Sequence, residues 1–109
     1  MQDLITQLTD KIAMLESAIK ELGKRGRAYA EAERDYRVAL AQKTLAERDK
    51  GMPVTIISDI CRGDPVIAKA KFERDVTEVM YKSALEAVQG YKLQIRILDA
   101  QLDREWHSG

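Results

Sequence analysis

A single cysteine among 109 residues excludes an internal disulfide, and a single histidine, at position 107, excludes the Cys/His clusters that hold structural zinc. Only two prolines occur, Pro53 and Pro65, so the long stretches on either side of them contain nothing that breaks a helix. Aromatic residues make up 6% of the chain, which leaves aliphatic side chains to form the core. Neither sign of charge prevails: residues 1–50 carry ten basic and nine acidic side chains, residues 51–109 eight and nine, and the 18 of each cancel. That balance speaks against both a basic nucleic-acid tail and an acidic mimic of nucleic acid. Nowhere do the roughly 18 consecutive apolar residues of a membrane span run together, so no membrane association is expected. The opening stretch MQDLITQLTDK lacks the basic-then-apolar order of a secretory signal. With one unpaired thiol, a cytoplasmic location is the expectation.

What is present is charge and aliphatic residues in a helical rhythm. A third of the residues are charged and 45% are hydrophobic, the mix of a helical or coiled-coil protein. Ile5, Leu8, Ile12, Leu15, Ile19 and Leu22 step by threes and fours, which predicts a heptad seam with Ile and Leu alternating at its core positions. Further on, Tyr29 and Tyr36 continue one core position while Gly26 and Glu33 interrupt the other, and the apolar face drifts to Ala32, Ala39 and Leu40. A first helix is predicted over about 2–50, stopped by Gly51 and Pro53. Asp64-Pro65 opens a second helix over about 65–106, with aspartate as cap and proline at the first helical position. Its seam is Tyr81, Ala84, Val88, Tyr91, Ile95, Leu98, Leu102 and Trp106. The fold class expected is all-α: one domain over 1–109, in which two long helices fold back as an antiparallel coiled-coil hairpin. Gly26 and Gly90 fall at one level of that hairpin, where two glycines would allow close backbone approach.

The tip of the hairpin, residues 51–64, is expected to be short and irregular or to form a single helical turn. The β-branched run from Val54 to Ile57 favours extended backbone there, and Ser58-Asp59 can cap one turn ending at Gly63. Val54, Ile56, Ile57 and Ile60 are more apolar than a turn requires. They either plug the hairpin end or form a partner-binding tip, the plug being the simpler reading.

Leu93, Ile97 and Ala100 form a second apolar stripe on the side of helix two away from its seam. A hairpin has one inner face, and two-helix chains of this size are marginal alone. The expectation is therefore a homodimer, with Leu93, Ile97 and Ala100 as the oligomer interface of a four-helix bundle. No catalytic constellation, glycine-rich phosphate loop, metal site or cofactor site emerges, so an enzyme is not expected. Lys20, Lys24, Arg25 and Arg27 concentrate positive charge and are the candidate nucleic-acid contacts, set against the simpler reading of a solvated helix face. Cys61 reads as a small apolar packing residue rather than a reactive thiol, and Arg62-Gly-Asp64 as a chance tripeptide whose aspartate caps a helix.

The segment KAKFERDVTEVMYKSALEAVQGYKLQIRILDAQLDREW carries a Tyr-Lys-x-x-x-Glu-Ala element and then Tyr-Lys-Leu-Gln-Ile-Arg. Over about residues 66–106 it resembles small helical, coiled-coil proteins of Gram-positive phages and prophages. The resemblance implies a cytoplasmic accessory protein and brings no catalytic residues with it. The function expected is non-enzymatic: a protein–protein interaction or structural accessory protein with a protein partner, or, as the alternative, a nucleic-acid-associated factor of a phage replication or recombination cassette.

Overall fold

The computed structural model describes residues 1–108, as three helices: α1 (Gln2–Asp49), α2 (Val54–Gly63) and α3 (Pro65–Ser108). No strand occurs among the described residues, and the alternating YKLQIRIL lies within α3. No described helix is long and apolar enough to cross a membrane. The two long helices begin and end within about two residues of the positions their spacing predicts.

Both ends of α2 show why the chain turns where it does. Gly51 adopts a φ of 81°, the left-handed conformation that L side chains resist. There its N–H donates to the Arg48 carbonyl at 2.9 Å, while the Met52 N–H donates to the Glu47 carbonyl at 3.1 Å. These two bonds form a Schellman stop, satisfying carbonyls that the end of α1 would leave open. Asp64 performs the reverse task for α3. Its Oδ1 accepts from the N–H groups of Val66 at 2.9 Å and Ile67 at 3.2 Å, and Pro65 takes the first helical position.

Between these stops the tip departs from expectation. It is a ten-residue helix, not an irregular stretch or a single turn. Four β-branched residues at its start weaken it by about 2 kcal/mol in total against alanine. Burying one isoleucine contributes roughly 1.5–3 kcal/mol, and the helical spacing of Ile57 and Cys61 turns both into the core. Tertiary burial outweighs local preference. No side chain caps the start of α2 at Pro53; the Ile56 and Ile57 N–H groups donate to the Pro53 carbonyl instead.

The chain divides into two compact units. One comprises Met1–Arg25 and the part of α3 from Tyr81 onward. Here Ala84 and Val88 are buried, flanked by half-buried Tyr81, Tyr91, Ile95, Leu98 and Leu102, which is the seam the sequence predicts for α3. Trp106, its expected last member, is instead exposed. On α1, Leu8, Leu15 and Leu22 are half-buried as expected, but Ile5, Ile12 and Ile19 are more than two-fifths exposed. Their places are taken by Leu4, Lys11 and Ala18. One neighbouring helix covers one stripe, which takes in the leucines and leaves the isoleucines at its flank. Lys11 fits because its aliphatic stem packs while its ammonium lies 5.9 Å from the Tyr91 ring centroid. A Cβ added at Gly90 would meet no described atom within 4 Å, so the expected close backbone approach at that glycine is absent.

The other unit is Gly26–Met80. Its core is Ile57 and Cys61 of α2 with Ile67 of α3, against which Tyr36, Ala39, Leu40 and Met52 pack.

Candidate functional site

Three helix faces converge in the Gly26–Met80 unit. From α1 come Tyr36, Leu40, Thr44 and Arg48, spaced by four. From α2 come Val54, Ile57, Ser58, Cys61 and Arg62, the full stripe of one helix face. From α3 come Ile67, Ala68, Lys71, Phe72 and Asp75. They line a groove of about 730 Å³, within the range of roughly 300–1,000 Å³ typical of ligand sites. Ile57, Cys61 and Ile67 form its buried floor. Val54 and Phe72 stand at its edge 72% and 64% exposed, large apolar side chains with half or more of their surface in water.

A polar frame ties the α1 and α3 walls together. Glu47 of α1 is buried, and its carboxylate meets Lys43 and Lys50, each at 3.3 Å. Hydrogen bonding from Lys43 holds Glu47 below the ordinary carboxylate range, despite the opposing effect of burial. Lys43 also reaches Asp64 at 3.5 Å, so one ammonium ties α1 to the capping residue of α3. Asp64 too is held below its ordinary value, first by the Ile67 N–H and further by that of Val66 and by Lys43. Elsewhere in this unit, Arg74 lies 4.6 Å from the Tyr36 ring centroid and pairs with Asp75 at 2.8 Å and Glu33 at 3.7 Å. The groove's one lining carboxylate, Asp75, is thus already engaged. Around the rim remain Arg48, Arg62 and Lys71, of which Arg62 makes a long 3.7 Å contact to Asp59.

The sequence-predicted residues fall into distinct places. Of the tip set, Ile57 is core at 4% exposure, Ile60 is half-buried, Ile56 is 44% exposed and Val54 edges the groove. Cys61 packs in the floor with its Sγ 3.7 Å from the Thr44 hydroxyl. Leu93 and Ile97 are each 52% exposed, and Ala100 is exposed beside them. Of the basic set on α1, Arg25 pairs with Glu21 at 2.8 Å and Arg27 with Glu31 at 3.0 Å, each four residues away, while Lys20 and Lys24 point to solvent. Sequence reasoning missed Ile67, Phe72, Arg48 and Lys71. Reading residues 54–62 as a helix would have located the groove, since Val54, Ile57, Ser58, Cys61 and Arg62 share one face only at helical spacing. Among the described residues, no group of His, Cys, Asp and Glu is placed to hold a metal ion. Comparison with protein-family models, curated proteins and solved structures yields no match, so the functional reading rests on this geometry.

Proposed function

We propose that the protein is a non-enzymatic interaction module: an antiparallel helical hairpin whose tip receives an apolar segment of another protein. The observation that carries this is the groove with a buried apolar floor and two exposed apolar edges, Val54 and Phe72. A folded chain gains nothing from leaving such side chains in water, whereas a docked segment gains about 25 cal/mol per Å² of apolar surface removed from it. The resemblance of residues 66–106 to small phage proteins fits an accessory role of this kind, in the cytoplasm. Zero net charge and the local pairing of Arg25 and Arg27 weigh against nucleic acid as the partner.

A photo-cross-linking residue placed at Phe72 tests the reading in cells that make the protein. A discrete protein adduct from that position, absent when the same residue replaces exposed Gln101, is the expected result. Adducts from both positions alike, or from Gln101 alone, refute it.

Self-association through Leu93, Ile97 and Ala100 is held by little burial. With about half of Leu93 and Ile97 already covered, a two-fold dimer recovers roughly 3–6 kcal/mol from four side chains before association costs. A micromolar dimer needs about 8 kcal/mol. The stripe alone therefore supports a dimer no tighter than about millimolar.

A further inference from the structure

Building on the docking reading above, we infer that the groove's occupant is an acidic amphipathic helix that completes a local four-helix bundle. Shape gives the helix. All three walls are themselves helix faces, and each presents side chains at helical spacing along the groove. The α1 wall runs from Tyr36 to Arg48, about 18 Å at 1.5 Å per residue, and the α3 wall from Ile67 to Asp75, about 12 Å. Two to three turns of helix fill that length. Apolar residues at i, i+4 and i+7 of the incoming segment span about 10.5 Å and meet the floor of Ile57, Cys61 and Ile67. An extended strand would face the same walls with its backbone N–H and C=O groups unpaired. No sheet edge exists among the described residues to satisfy them.

Charge gives the sign. Arg48, Arg62 and Lys71 line the groove against a single carboxylate, Asp75, which Arg74 already holds at 2.8 Å. Even with Asp59 set against Arg62, an excess of positive charge faces whatever lies in the groove. A helix carrying Glu or Asp beside its apolar stripe completes these pairs, whereas a basic helix brings like charges together in a partly desolvated rim.

The test is a selection on the full chain from a displayed library of random peptides about 14 residues long, with depletion on the uncharged Val54→Ser/Phe72→Ser variant. Those two side chains are mostly exposed, so the variant is expected to keep its helical circular dichroism. Recovered peptides are expected to share large apolar residues at i, i+4 and i+7 and to be net acidic. A synthetic peptide of that class should bind the Arg48→Glu/Lys71→Glu variant at least about tenfold more weakly, and the wild type more weakly as salt rises. Helical peptides of neutral or basic charge that still discriminate against the groove variant overturn the acidic assignment and leave the docking reading standing. Peptides without helical spacing overturn the helix. Recovery of nothing that distinguishes the two proteins, or saturable palmitate binding that the groove variant abolishes while no peptide binds, overturns the docking reading as well.

Discussion

Truncating Ile57 to alanine is expected to unfold the tip far more readily than the same change one residue earlier. Ile57 is 4% exposed and sits among Cys61, Ile67, Tyr36, Leu40 and Met52. Isoleucine-to-alanine substitutions in cores cost roughly 2–5 kcal/mol, the larger losses where the cavity cannot collapse. Here one side of the residue borders the groove, through which neighbours and water can relax, so the lower part of the range, about 2–3 kcal/mol, applies. At a urea m-value near 1–1.5 kcal/mol/M for a chain of this size, that moves the midpoint down by about 2 M. Ile56, 44% exposed, forfeits about half a side chain's burial, and alanine returns several tenths of a kcal/mol in helix propensity. Its midpoint is expected to move by less than about 0.5 M. Urea titrations followed by circular dichroism at 222 nm make the comparison. Equal shifts for the two variants, or a shift under about 0.5 M for Ile57→Ala, would refute the packing of α2 and with it the floor of the groove.

The carboxylates that frame the groove give a pH signature. Glu47 and Asp64 are held below their ordinary values of 4.5 and 3.8, so their contribution to stability is whole above those values and is lost as pH falls through the depressed ones. The Glu47→Gln/Asp64→Asn variant should be less stable than wild type at pH 7, with the gap closing below about pH 4; a constant gap between pH 7 and 2.5 contradicts the network. Gly90→Ala adds a methyl group to open space inside a helix and is expected to stabilise by about 0.8–1 kcal/mol, a rise of several degrees in Tm. A fall in Tm would show something pressed against that glycine. In sedimentation equilibrium the wild type is expected to be a monomer at about 10 µM and to self-associate only toward millimolar concentration, and Leu93→Glu/Ile97→Lys to abolish that association. A wild-type dimer at 10 µM that survives this double substitution would place the interface elsewhere, with the exposed Ile5, Ile12 and Ile19 stripe next to examine.

The long helices were legible because their signals are local: a repeat of threes and fours, a glycine stop, an aspartate-proline start. Which member of each repeat faces inward was less legible. Heptad spacing marks Ile5, Ile12 and Ile19 as equals of Leu8, Leu15 and Leu22, and only the width of the stripe that the facing helix covers separates them. The tip misled for a related reason. Its β-branched run reports a backbone preference of a few tenths of a kcal/mol per residue, while the burial that decides its structure depends on Ile67 and Leu40, which lie on other helices. The groove was invisible for as long as the tip was read as a turn. Two of its floor residues, Ile57 and Cys61, were singled out from the start; Ile67 and the walls contributed by Arg48, Lys71 and Phe72 needed three helices in place.

Docking of a partner in the groove between α1, α2 and α3, over the Cys61 floor, is tested most directly by amide NMR. A ¹⁵N-labelled full chain is titrated with an acidic amphipathic peptide from the selection. Saturable shifts are expected at Val54, Ile57, Cys61, Ile67, Lys71 and Phe72, with Leu93, Ile97 and the Lys20–Arg27 stretch unmoved. Shifts centred on Leu93 and Ile97, or on Lys20 and Lys24, with the groove amides unchanged, would contradict it.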